Sequence, residues 1–254
     1  MRWILAAVAV VALVGGWARR RRRLARQRRL MLLCRAAGLG FAPVDPSPET
    51  AWLPFRMFGR PRSGTENVVW DPRRDDGVRV FDFWYEPASD DRTGGRRTIT
   101  CATVPVEIGC PRLRIAPRDV LDDVAGALGL PEVTVELEAF NERFRVEAED
   151  PRSAIAFLDQ RMIEALLRLP PEVTMEVNER VILLTAPLLP PERVLLLLQS
   201  ASGLRRRLPR VLSSLYPPRP ERGEHEDRWL QGRWSEEPIG ADAGTSDEDR
   251  RPAR

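Results

Sequence analysis

The chain has no lysine: all 40 of its Lys+Arg positions are arginine. A nucleophilic or Schiff-base lysine is therefore excluded, and so is the lysine of a phosphate-cradling G-x-x-x-x-G-K-[ST] loop. Histidine is nearly as scarce. The one histidine, His225, sits in a proline- and charge-rich stretch near the C-terminus. The body thus has no Ser-His-Asp or Cys-His site and no multi-histidine metal centre. Cysteine is limited to Cys34, Cys101 and Cys110. An odd number with no C-x-x-C spacing fits buried, reduced thiols in a reducing compartment. Gly38-Leu39-Gly40 lacks a third glycine and a preceding strand, so it is not a dinucleotide fingerprint. No catalytic set, cofactor or metal site is expected.

The rest of the composition is that of a globular protein, 43% hydrophobic and 30% charged. The net charge of +3 is unevenly spread. Residues 1–29 carry nine arginines and no acid, residues 217–254 seven arginines and ten acids, and the stretch between them 24 arginines and 27 acids. The body is mildly acidic, which gives no support to nucleic-acid binding.

From Trp3 to Ala18 no charged residue appears. As a helix these 16 residues span about 24 Å, short of a hydrocarbon core of about 30 Å. The ends repair the deficit: Arg2 and Arg19 can snorkel, and Trp3 and Trp17 suit the two interfaces. A cleavable signal peptide needs its positive charge before the apolar run and a small-residue cleavage site after it. Here Arg19, Arg20, Arg21, Arg22 and Arg23 follow the run and no cleavage site does. An interfacial helix would show a polar face inside the run. Residues 1–18 therefore read as a transmembrane helix, flanked by Arg2, Trp3, Trp17 and Arg19 to Arg23. The positive-inside rule leaves the N-terminus outside and residues 19–254 in the cytoplasm. Residues 19–40 read as an arginine-rich juxtamembrane helix stopped by Gly38 and Gly40. Its arginines could attract anionic lipid headgroups or serve only as a topology signal.

Residues 41–216 read as an α+β domain with a mainly antiparallel sheet and helices packed on one face. After an irregular stretch around Asp45-Pro46-Ser47-Pro48, strands are expected at 66–70, 78–85 and 97–106, a helix over 117–128, and strands at 132–138 and 144–148. Asp150-Pro151 marks a helix start, with an apolar stripe through Ile155, Leu158, Met162, Ala165 and Leu166. A hairpin of 172–177 and 180–185 would turn at Asn178-Glu179. A last helix starts at Pro190-Pro191 and is kinked by Pro209. A split into two small subdomains near 110–117 is compatible with this order. Residues 217–254 read as a disordered tail, in which Trp229 and Trp234 are unexpected.

Asp71, Asp75, Asp76, Asp82, Asp90 and Asp91 are close in sequence. Asp75-Asp76-Gly77 suits turn chemistry, since the calcium-loop spacing is absent. Asp82, between Phe81 and Phe83, would face a core and need an arginine partner.

The order of an N-terminal span, an arginine-rich helix ending in Gly38-Leu39-Gly40-Phe41, Leu53-Pro54-Phe55, Asn67-Val68-Val69 and 77–85, then Phe140 to Val146 with Asp150, resembles a family of bacterial single-pass membrane-anchored proteins with no assigned activity. The likeness covers about 40–190 and rests on fold-forming positions. It implies architecture and membrane placement. The expected function is a binding or interaction module at the inner membrane face, with the lipid bilayer and a protein as partners. The alternative is a membrane-tethered enzyme using carboxylates and arginines.

Overall fold

The computed structural model describes residues 2–45, 53–74, 76–87, 95–118 and 129–218, with side chains described from Val14 onward. The expected helix over 117–128, beyond its first two residues, lies outside them. So do Asp75, Asp90, Asp91, the tail from residue 219 and the side chains of Arg2 and Trp3.

A single helix, α1 (Arg2–Ala37), begins the chain. It stops as the sequence predicts, at Gly38 with φ 66. Leu39 N–H donates to Cys34 O at 2.8 Å and Gly38 N–H to Arg35 O at 3.3 Å, the paired bonds of a glycine-terminated helix. Among the described residues no helix is long and apolar enough to cross a membrane.

The sheet contains β1 (Gly40–Val44), β2 (Ser63–Trp70), β3 (Arg79–Tyr85), β4 (Arg97–Pro117), β5 (Phe144–Ala148) and β6 (Thr174–Pro187). Every pairing is antiparallel: β1 to β2, β2 to β3, and β4 to β3, β5 and β6. Strand β4 carries 21 residues, so one of its edges serves β3 first and β5 later, while β6 lines the other. This shared long strand makes one sheet of what the sequence left open as two subdomains. Helices α2 (Glu138–Arg143), α3 (Pro151–Phe157), α4 (Gln160–Leu167), α5 (Pro191–Arg205) and α6 (Val211–Leu215) complete the described elements.

Strand alternation separates the two faces. On one face Val69, Val80, Ala102, Val104, Leu113, Ile115, Ile182 and Leu184 join Leu30 and Cys34 of α1, Phe157 of α3, Met162 of α4 and Leu197 of α5 in the main core. On the other, Phe81, Phe83, Tyr85, Cys101 and Leu183 pack under Leu53, Phe55, Met57 and Phe58, which lie in or next to a short 3-10 turn at Arg56–Gly59. Phe58 meets Phe83 edge-on at 4.8 Å, an arrangement that aromatic quadrupoles favour. Strand β3 is thus packed on both faces.

Several expectations are corrected. No hairpin turns at Asn178-Glu179: β6 runs straight through 14 residues, with Glu179 at φ 53 opposite a bulged stretch of β4 between Pro105 and Leu113. Extra residues in β4 absorb the local kink, and Asn178 Nδ2 donates to Pro54 O rather than closing a turn. The expected strand at 132–138 reduces to a single bridge, Glu132 with Glu147; beyond it the Asn141 side chain accepts from Val135 N–H and donates to Val135 O, and α2 begins at Glu138. The stripe from Ile155 to Leu166 is two helices. Asp150 caps α3, accepting from Arg152 N, and Asp159 caps α4, accepting from Met162 N at 2.8 Å. The break turns Ile155 out to solvent. Pro209 marks a full interruption between α5 and α6 rather than a kink.

Candidate functional site

Positions 23, 26, 30 and 34 share one face of a 3.6-residue helix, and this face seats α1 on the sheet. Leu30 and Cys34 are fully buried. One turn nearer the N-terminus, Arg26 grips Asp82 in a two-pronged pair, Nε to Oδ2 and Nη2 to Oδ1, both 2.8 Å. Asp82 is only 2% exposed and needs more than one partner. Asn67 Nδ2 donates to Oδ2 at 2.8 Å and Thr100 Oγ1 to Oδ1 at 3.4 Å. Asn67 reaches it because β2 bulges between Glu66 and Val69, with Asn67 at φ 57, a conformation asparagine tolerates better than most residues. Arg26 Nη1 also donates to Leu189 O, and Leu189 N–H donates to Thr100 Oγ1 at 3.0 Å. Helix, sheet and the start of α5 are thus closed into one polar network. The arginine partner expected for Asp82 is present, and it comes from the arginine-rich helix.

Two further arginines of α1 are ion-paired to the domain while remaining exposed. Arg23 pairs with Glu66, which also holds Arg96 at 2.7 Å, and Arg29 Nε donates to Glu192 at 2.6 Å. The opposite face of α1 is different. Trp17 and Leu32 are each 62% exposed, and Leu24 and Met31 are exposed too. Arg20, Arg21, Arg22 and Arg28 make no ion pair with another described residue; Arg21 lies 5.2 Å over the Trp17 ring, and Arg19 Nε donates to Gly15 O. Only part of the arginine cluster is therefore available to headgroups.

The other described aspartates of the 71–91 stretch, Asp71 and Asp76, serve separate turn contacts. Asp71 closes a turn by accepting from Arg73 N–H and from the Arg73 and Arg74 guanidinium groups; Arg73 holds its carboxyl below the usual value. Asp76 accepts from Val78 N–H, the turn chemistry its sequence implies. Among the described residues no group of three or more His, Cys, Asp and Glu side chains could hold a metal ion.

A buried charged row was not foreseen. Arg114 of β4 stands between Glu147 of β5 at 3.4 Å and Glu176 of β6 at 3.8 Å, in register across three strands. Its residues are scattered over 62 positions of sequence, and only strand pairing unites them. Burial, only partly offset by Arg114 and reinforced by Glu147, raises the Glu176 pKa above 4.5. Its ionised form thus weakens the fold from about pH 4.5 upward. Glu176→Gln is expected to raise the urea midpoint at pH 7 and to leave it unchanged below pH 4; a loss of stability at pH 7 would show that Arg114 needs both carboxylates.

The three cysteines are free and buried, as their number and spacing imply. Burial pushes the Cys34 thiol up to about 11 and Cys110 to about 12, and raises Cys101 as well. None should react with a maleimide in the native fold at pH 7, and all three should react in urea; fast native labelling of any one would contradict its burial.

The architecture defined by these elements is an antiparallel sheet with a long N-terminal helix strapped to one face. It is similar to the crystal structure of the mycobacterial trehalose monomycolate transport factor A, TtfA, with a TM-score of 0.54 and 15% sequence identity, over 77% of this chain and 98% of that one. At that identity the likeness is one of fold. No protein-family model matches the chain, and no curated protein matches it.

Proposed function

We propose that the protein is a single-pass membrane-anchored binding module: residues 1–18 cross the bilayer, and the α+β domain lies at its cytoplasmic face. The observation that carries this reading is the division of labour along α1. Arg23, Arg26 and Arg29 are spent on Glu66, Asp82 and Glu192, while Arg20, Arg21 and Arg28 stay on the outer face beside Trp17 and Leu24. An arginine belt with an aromatic residue next to an uncharged 16-residue run is what a membrane interface selects. The lack of converging carboxylates in the described 71–87 region favours binding over the carboxylate-enzyme alternative. A fold similar to that of a trehalose monomycolate transport factor is consistent with action through binding.

The test is fractionation of the full chain expressed in a bacterial host. The protein should stay with membranes through high-salt and carbonate washes, and deletion of residues 1–18 should release a folded domain. Recovery of the full chain in the soluble fraction would overturn the anchor. Protease cleavage of the tail from the outer side of sealed spheroplasts would overturn the orientation.

A further inference from the structure

A second basic surface lies away from the inner face of α1, in a groove between the α5–α6 junction and the bulged part of β4. Arg205, Arg206 and Arg210 line one side and Arg74 of the β2–β3 turn lines another; Val106 and Leu208 supply an apolar floor. Arg205 Nε donates to Pro105 O at 3.0 Å, which holds that side chain along the wall. Arg206 and Arg210 are exposed and make no ion pair with another described residue. Asp76 and Glu107 are the acids of the groove, so the arginines outnumber them.

We propose that this groove is the docking site for the acidic end of the chain's own tail, residues 236–249, with Trp234 against the apolar floor. Three observations single out this occupant. Complementarity is the first: Glu236, Glu237, Asp242, Asp247, Glu248 and Asp249 follow one another with no arginine among them, and planar guanidinium groups bind carboxylates in pairs. The second is the exit point of the tail. Tyr216 hydroxyl donates to Asp150 Oδ2 at 2.5 Å, and Tyr216 O accepts from Gly109 N–H at 2.8 Å. The tail is thereby released beside Glu107, Ile108 and Ser213, which border the groove. Seventeen residues separate Pro218 from Glu236. A flexible chain of that length has a root-mean-square span of roughly 25 Å, enough to return to its starting point at an effective concentration in the millimolar range. The third is position. Gly38, at the end of α1, faces Arg73, so the β2–β3 turn and the groove lie at the end of the sheet where α1 stops, away from the belt at Arg19 to Arg22. The preference for peptide over lipid rests on the membrane-anchored reading; the contact itself does not. The contact also gives the tail tryptophan a use.

The experiment uses the full chain in detergent with Ser246→Cys carrying a fluorophore; the three native thiols are buried and leave the new one to react. Label anisotropy should be that of a group held on the folded body at low salt. It should drop to the value of a free 229–254 peptide in about 1 M salt, where screening acts within about 3 Å. Arg206→Ser with Arg210→Ser should cause the same loss at low salt. Arg112→Ser with Arg161→Ser, exposed arginines elsewhere, should not. Equal anisotropy in the parent and groove variants, or an equal loss in the groove and control pairs, would overturn the proposal. So would a groove pair that leaves anisotropy unchanged but weakens binding of inorganic phosphate or of phosphatidylserine vesicles, which would assign the groove to a soluble anion or to lipid. Failure of the membrane anchor would appear in fractionation and would not alter the anisotropy.

Discussion

Asp82→Ala is expected to destabilise the domain by about 3–5 kcal/mol, the range for breaking a buried ion pair from one side. The substitution strands Arg26, whose side chain is 14% exposed and which pairs with no other carboxylate among the described residues. It also leaves the Asn67 amide and Thr100 hydroxyl without their acceptor. The double change Arg26→Met with Asp82→Leu removes both charges and keeps apolar volume, and it should recover most of the loss. Urea midpoints of the two single variants and the double variant measure this directly. A single-variant cost below about 1 kcal/mol, the scale of exposed pairs, would mean that the pair is solvated in solution.

A chain starting at Arg22 should fold, whereas one starting at Gly38 should not. The shorter chain loses Leu30 and Cys34, both fully buried, along with the Arg26 partner of Asp82. Each large apolar side chain removed from a core costs about 2–5 kcal/mol, and the uncovered sheet face and the orphaned Asp82 add to that. The sum approaches the entire stability of an ordinary domain, about 5–15 kcal/mol. Near- and far-ultraviolet circular dichroism of the two chains would separate the outcomes. A cooperatively folded chain starting at Gly38 would show that α1 merely rests on the sheet.

The sequence made local features legible and non-local ones poorly legible. The strands near 66–70, 79–85 and 144–148, the Asp150-Pro151 helix start and the Gly38 stop depend on alternation, caps and glycine conformation, all written within a few residues. The arginine need of Asp82 was readable from its place between two phenylalanines, but its partner 56 residues away was not. Read locally, the arginines of α1 look alike; spacing of three and four divides them into docked and outward sets only once the sheet supplies Glu66 and Asp82. The hairpin at Asn178-Glu179 failed for a related reason. An asparagine followed by a residue with positive φ also suits a bulge within a continuous strand, and the choice is made by β4 on the neighbouring edge. Likewise, Glu147, Arg114 and Glu176 become a site only through strand register.

The continuity of α1 has a mechanical consequence. From Ala18 to Leu30 the helix rises about 18 Å with no break, and the Arg26 network and the buried Leu30 clamp its lower half to the sheet. The domain therefore cannot swivel on a slack tether. Whatever grips the first turns of this helix sets the tilt and azimuth of the whole sheet, so a small rotation at one end sweeps the far groove through a wide arc, as a lever turns about its clamp.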